Sequence, residues 1–120
     1  EEASRQLNSV HFGGIASRTP GAFVYTEVQV SVPFDQAPWR TMNPILRAQP
    51  GLLHKTWLSG VDNQSVGGFY AFDTLENARR FVTDYFPTET AGLNAAYTTR
   101  LFDASATEVA SREMGSQFYR

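Results

Sequence analysis

The segment 50–73 constrains the possible folds of this chain more than any other part of it. It begins with the turn-forming pair Pro50-Gly51, and two β-forming stretches follow at 52–60 and 66–73. Between them, Asp62-Asn63 suits a hairpin loop of about five residues. We therefore predict a β-hairpin here. The two glycines at 67 and 68 lie within its second strand and predict either a bulge or a backbone that another group approaches closely.

Two more strands are predicted, at 23–32 and 95–102. In the first, Val24, Val28 and Val30 share one face by period-two alternation, and Tyr25 and Glu27 occupy the other. β-branched side chains of this kind favour a strand. The second face is aromatic at one end and polar further along, so it is not a simple solvent-facing surface.

Helices are predicted between these strands and after the last one. The first spans 36–48, with Asp35 as its cap, Pro38 in its first turn and Pro44 kinking it or dividing it in two. The second follows a capping box at 73–76 and ends at Pro87, and 88–93 is predicted as another short turn of helix. A terminal helix is predicted over 105–114.

The resulting order, β-α-β-β-α-β, is that of an α+β domain with a ferredoxin-like antiparallel sheet and helices on one face. The strands are apolar on both faces, whereas a bare sheet face is normally polar. We therefore expect a second sheet, supplied by an identical partner, to cover the bare face and form a homodimer. The domain is expected at 23–110, after an N-terminal arm at 1–22. A C-terminal tail at 111–120 is expected to dock its aromatic residues, Phe118 and Tyr119.

Composition excludes several classes of function. The 120 residues carry a net charge of -2 without clustered Lys and Arg, which argues against nucleic-acid binding. The absence of cysteine excludes disulfides, thiolate zinc sites and cysteine nucleophiles. No apolar stretch reaches the roughly 20 residues of a membrane span. No signal peptide is visible, so a cytoplasmic location is expected, although removal of a segment before Glu1 remains an alternative.

The predicted hairpin also resembles a known family. Lys55-Thr56-Trp57 is similar to a Lys-x-Trp motif, and residues 67–72 are similar to a Gly-Gly-x-Tyr-x-Phe motif, of the YdhR-like family. Members are small dimeric α+β-barrel proteins described as monooxygenases, related to those of antibiotic biosynthesis. Ala78, Phe81 and Tyr85 resemble the helix that follows, and the whole resemblance covers about 23–109. It implies a dimeric α+β barrel and monooxygenase chemistry.

His54 is the leading candidate for a catalytic residue, because imidazole exchanges protons near neutral pH. The alternative is a partly buried histidine bonded to the backbone. Strand parity sets His54 on the face opposite Lys55 and Trp57, so one pocket wall is not expected to hold all three. Tyr70 is the second catalytic candidate, since its hydroxyl can donate within an apolar cavity.

A larger set of residues is predicted to bind the substrate. Glu27 and Gln29 lie mid-strand, where Arg100 of the neighbouring strand either forms a structural ion pair with the acid or joins a polar patch that orients a substrate oxygen. The aromatic residues are either core or pocket lining, and together they suit a flat, polyaromatic or polyketide-like ligand. The predicted substrate-binding residues are Trp57, Tyr25, Gln29, Phe72, Phe81, Tyr85 and Arg100.

Three functions remain in competition. The leading one is a cofactor-independent monooxygenase acting on an aromatic or polyketide-like small molecule. The second is a cyclase, isomerase or lyase of the same fold that uses His and Tyr for acid–base chemistry. The third is a non-enzymatic module that binds a ligand or haem. No metal or cofactor is expected, because the sequence has no metal-ligand spacing and no Gly-rich loop opening a helix.

Overall fold

A computed structural model describes residues 18–30, 34–36, 38–93 and 95–119. Most of the predicted N-terminal arm, 1–17, lies outside the described residues. The strands are β1 (Ala22–Gln29), β2 (Leu52–Ser59), β3 (Ser65–Phe72) and β4 (Tyr97–Asp103). The helices are α1 (Trp39–Arg47), α2 (Leu75–Arg80), α3 (Phe86–Ala91) and α4 (Glu108–Glu113). Tighter 3-10 turns lie at Phe34–Gln36, Ser105–Thr107 and Gln117–Tyr119.

The four strands form one antiparallel sheet in the order β2-β3-β1-β4. β1 is central, pairing with β3 on one side and β4 on the other, with Tyr25 opposite Phe69 and Arg100. The α+β class is therefore confirmed, and the arrangement is compatible with a ferredoxin-like fold.

The main core lies between one face of the sheet and α1, α2 and α3. Alternation along β1 buries Val24, Thr26 and Val28 on this helix side. Aromatic side chains from β3 and the helices pack together there, with ring centroids of Tyr70 and Phe81 4.9 Å apart. The buried core residues are Ala22, Val24, Val28, Leu46, Leu52, Tyr70, Phe72, Ala78, Phe81 and Phe86.

The predicted hairpin is present, but its irregularity lies in the other strand. Leu52 pairs with Phe72 and His54 with Ala71, so Leu53 is an extra residue in β2. The two glycines of β3 instead serve close approach. A Cβ on Gly67 would meet the carbonyl oxygen of Thr26, and a Cβ on Gly68 would lie 2.5 Å from Cε of Lys55. The bulge predicted at these glycines is wrong, and the close approach is confirmed.

The first helix is shorter than predicted. A 3-10 turn at Phe34–Gln36 precedes α1, whose N-cap is Pro38 with φ of -80°. The carbonyl of Pro38 accepts the first amides of the helix, and its fixed φ suits that position. Pro44 is accommodated inside α1. The helix is therefore not divided at Pro44, and that alternative of the prediction is wrong.

The second helix does not end at Pro87. A π-helical turn at Phe81–Tyr85 joins α2 to α3, so helical backbone continues to Ala91. The amide of Phe86 bonds the carbonyl of Phe81, five residues back. This widened turn makes room for the proline ring, which would otherwise clash with the preceding turn. The start of α2 is as predicted, because Thr74 caps this helix by accepting the amide of Asn77 at 3.1 Å.

The C-terminal tail packs on the sheet face opposite the helices, which we call the open face. Phe118 stacks on His54 with ring centroids 4.5 Å apart and meets Phe23 and Phe69 at 5.3 and 5.6 Å. Tyr119 donates its hydroxyl to the carbonyl of Ala104 at 2.9 Å. The docking expected of these aromatics is confirmed. The chain itself thus supplies part of the cover that the sequence assigned to a partner.

Candidate functional site

A cavity of about 440 Å³ lies between the helix side of the sheet and the helices. Its size is within the range of small-molecule sites, which are mostly apolar with a few placed polar groups. Apolar walls come from β1, β3, α1 and α3, and four ionisable side chains join them: Lys55, Tyr70, Tyr85 and Glu89. The remaining lining residues are Thr26, Val28, Val30, Pro38, Met42, Ile45, Trp57, Val66, Gly67, Phe86, Thr88, Thr90 and Leu93.

Lys55 is the only lysine in the chain; the other nine basic residues of the Lys and Arg count are arginines. It is 1% exposed, although lysine is normally a surface residue. Its Nζ lies 3.2 Å from the centroid of the Trp57 ring and 4.7 Å from that of Tyr70. Aromatic faces favour a cation at such positions. Gly68, which has no side chain, leaves the space that the end of the lysine occupies.

Trp57 is held in place by a buried hydrogen bond. Its Nε1 donates to Oδ1 of Asn43 at 2.9 Å, and Asn43 is fully buried in α1. The ring of Phe34 packs edge-on against the indole at 5.6 Å. Because the indole is fixed from two sides, it gives the lysine a rigid wall.

Burial and a nearby carboxylate act on Lys55 in opposite directions. Desolvation lowers the pKa of Lys55 to about 7, and the charge of Glu89 works against that lowering. Desolvation likewise raises the pKa of Glu89, while Lys55 and a hydrogen bond from Tyr85 work against the rise. The hydroxyl of Tyr85 donates to Oε1 of Glu89 at 3.0 Å. Amine and carboxyl therefore approach each other in proton affinity, as in a proton-exchanging pair.

The two cavity tyrosines remain neutral hydrogen-bond donors. Burial raises the pKa of Tyr70 and of Tyr85 far above the usual value for phenols. Thr26 donates to the Tyr70 oxygen at 3.4 Å and accepts the amide of Gly68 at 3.0 Å. A chain of hydrogen bonds thus runs from the backbone of β3 to the phenol.

The predicted site residues fall into three groups. Trp57, Tyr70 and Tyr85 line the cavity together. Phe72 and Phe81 lie in the core. The remaining four belong to the open face of the sheet: His54, Tyr25, Gln29 and Arg100.

His54 lies beneath Phe118 and is 7% exposed. Burial first, and the positive charge of Arg47 second, lower its pKa to about 4. The imidazole is therefore neutral near pH 7, and it does not line the cavity that holds Lys55.

The polar residues of β1 interact with one another on the open face. The hydroxyl of Tyr25 donates to Glu27 at 3.0 Å, and this bond raises the pKa of Tyr25. Gln29 donates its amide to the same carboxylate at 3.4 Å. Within the described parts of the chain, no ion pair joins Glu27 to Arg100.

Sequence reasoning missed two of the ionisable cavity residues. Lys55 was part of the family motif, and its status as the single lysine was the signal that could have singled it out. Glu89 was missed because 88–93 was predicted as a turn separate from the helix that ends at Pro87. With the helix continued, the i,i+4 spacing of Tyr85 and Glu89 would have put both on one face.

The described residues contain no group of three or more His, Asp or Glu positioned to hold a metal ion. None of their helices combines the length and apolar character needed to cross a bilayer. Compared with known proteins, the chain matches no family model, and no curated protein matches it.

Proposed function

We propose that this protein is a cofactor-independent monooxygenase whose substrate is a flat, mainly apolar molecule with an acidic phenol or enol hydroxyl. Lys55 in its neutral form takes the hydroxyl proton, and the resulting ammonium stabilises the substrate anion. Electrons from that anion reduce molecular oxygen. A ring methylene that lies across the ring from a carbonyl, as in an anthrone, becomes a second carbonyl, with one atom of the oxygen molecule in the product and the other leaving as water.

The observation that carries this proposal is the burial of the single lysine beside Glu89 in an apolar cavity. A general base works best with a pKa near the working pH, and an exposed lysine is too basic for this. Here desolvation lowers the pKa of the Lys55 amine to about 7, which is close to neutral pH. Tyr70 is a neutral donor suited to a developing oxyanion, while the Tyr85 hydroxyl donates to Glu89.

The architecture and the motif add support from a different direction. The described sheet order is compatible with the ferredoxin-like barrel of the YdhR-like proteins. Lys55, Trp57 and Tyr70 of the resembling motif all line one cavity. Fold-level analogy does not establish a reaction, so the chemistry rests on the cavity itself.

Acid–base isomerisation, cyclisation or elimination is the second candidate. It shares the first proton transfer, and the convergent proton affinities of Lys55 and Glu89 favour it specifically, because one group can take a proton while the other returns it. The haem-binding alternative depended on His54, which lies under Phe118 outside this cavity.

Oxygen uptake with an anthrone tests the proposal. We expect uptake above the spontaneous rate, one water formed per carbonyl, and a loss of about 100-fold in Lys55→Met, as for removal of a general base. Arg79→Met, which removes an exposed cation on α2, should behave as the unmodified protein. If turnover continues without oxygen, the protein is not a monooxygenase and the acid–base reaction is supported instead. No turnover of a panel of phenols and enols would overturn both.

A homodimer through the uncovered part of the open face is also proposed. Phe102 is 47% exposed there, next to the half-buried Phe23 and Tyr25. Light scattering coupled to gel filtration should give twice the monomer mass, and Phe102→Asp should halve it. A monomeric mass for the unmodified chain would contradict the proposal.

A further inference from the structure

We propose that Lys55 is also an amine nucleophile that captures aldehydes and ketones inside the cavity as Schiff bases. The neutral amine adds to the carbonyl carbon, and the carbinolamine then loses its oxygen as water. The product is an imine between Nζ and the former carbonyl carbon. No electrons are exchanged with a third reagent, and hydrolysis returns both partners. This activity goes beyond oxygenation, because it needs only a carbonyl compound that enters the cavity.

The first support is the choice of residue. The chain uses arginine at every basic position except this one. A guanidinium stays charged and cannot act as a nucleophile, whereas a lysine can lose its proton when buried. An arginine could have stacked on Trp57 as well as a lysine does. The property that distinguishes Lys55 is a primary amine that can lose its proton near neutral pH.

The second support is the position of the amine. Nζ lies over the Trp57 ring and near that of Tyr70, in the wall of the cavity. A flat carbonyl compound stacked in this space would bring its carbonyl carbon to the amine. Val28, Met42 and Val66 line the same cavity and suit the apolar part of such a compound.

The third support is a proton donor beside the amine. Loss of water from the carbinolamine needs a proton on the departing hydroxyl. Glu89, whose pKa is raised by burial, and Tyr85, which donates to it at 3.0 Å, form such a donor system. Both side chains line the same cavity as Lys55. The structure therefore brings together the nucleophile, the donor and an apolar space.

Reductive trapping tests the inference on the full chain. The protein is incubated at pH 7 with 2-naphthaldehyde and cyanoborohydride, and the adduct is located by mass spectrometry. The only other primary amine is the N-terminal one, which serves as an internal reference. With a pKa of about 7, Lys55 is neutral in about a thousandfold larger fraction than a free lysine at this pH. We expect labelling at least about tenfold faster than in the urea-unfolded chain, since lower basicity reduces nucleophilicity.

Variants of the protein test whether fast labelling depends on the Lys55 amine and on its position in the cavity. Lys55→Arg should leave only the N-terminal adduct. Gly68→Ala places a methyl group 2.5 Å from Cε of Lys55, so it should displace the amine and slow labelling several-fold. Gly92→Ala is the matched control, since a Cβ there meets nothing within 4 Å. Far-ultraviolet circular dichroism and thermal melting verify that each variant is folded.

A second aldehyde keeps this test independent of the oxygenation assay. Propionaldehyde is small enough to enter where naphthaldehyde cannot. Labelling of Lys55 by propionaldehyde alone would support the nucleophile and contradict a flat aromatic substrate. Labelling by neither aldehyde in the folded protein, or labelling no faster than in the unfolded chain, would overturn the inference even if oxygen uptake were observed.

Discussion

Acidification should destabilise this protein through His54. The ring is 7% exposed, stacked under Phe118, and its pKa falls from 6.5 to about 4 on folding. Between these pH values the unfolded chain binds a proton that the folded chain does not. The free energy of unfolding therefore falls as pH drops through this window, and the contribution of neutral His54 is complete above pH 6.5.

The size of the effect follows from the same two values. Each pKa unit corresponds to about 1.4 kcal/mol, so lowering the pKa from 6.5 to about 4 corresponds to about 3 kcal/mol. Water at the edge of the ring screens part of this, which leaves about 2 kcal/mol. That is a substantial part of the 5–15 kcal/mol, roughly, that stabilises a typical domain.

Urea unfolding, followed by tryptophan fluorescence from neutral pH to about pH 4, measures the effect. His54→Gln removes the titrating group, so its unfolding free energy should fall with pH by about 2 kcal/mol less than that of the unmodified protein. Arg79→Gln, which removes an exposed cation on α2, is the control that should keep the full dependence. If His54→Gln keeps the same pH dependence as the unmodified protein, the argument from burial is refuted.

Two further substitutions test the packing around the site. Thr74→Ala should lower the free energy of unfolding by about 1 kcal/mol, because it removes the helix cap. Thr41→Ala, at an exposed position within α1, is its control, and a cost of the same size there would contradict the cap explanation. Phe118→Ala should destabilise the fold by about 3 kcal/mol and move the pKa of His54 back toward 6.5, as followed by NMR titration of the imidazole. An unchanged histidine pKa would show that the tail does not desolvate the ring.

Local patterns predicted much of the fold. Alternation in β1, the turn residues of the hairpin and the cap at Thr74 each act over a few residues, and each is found in the structure. Strand parity also separated His54 from Trp57 correctly, and the two lie on opposite faces of the sheet. These are features that a short sequence window determines.

The site could not be predicted in the same way, because it depends on contacts between distant segments. The widened turn before Pro87 carries the helix on to Glu89, and a proline by itself signals the opposite. The burial of Lys55 depends on Gly68 in the neighbouring strand and on Asn43, which orients Trp57 from α1. No local pattern reveals that a motif lysine lies inside a cavity.

The extra residue in β2 changes which side chains of this strand face the helices and which face the tail. Leu52 and Lys55 both face the helices although they are three positions apart, which a regular strand would not allow. The inserted position is absorbed at Leu53, beside His54. Sequence changes that reshape the contact with the tail can therefore accumulate without rotating the lysine out of its cavity. For protein engineering, this makes residues 53 and 54 a place to alter stability or acid sensitivity while the chemistry on the other face is left in register.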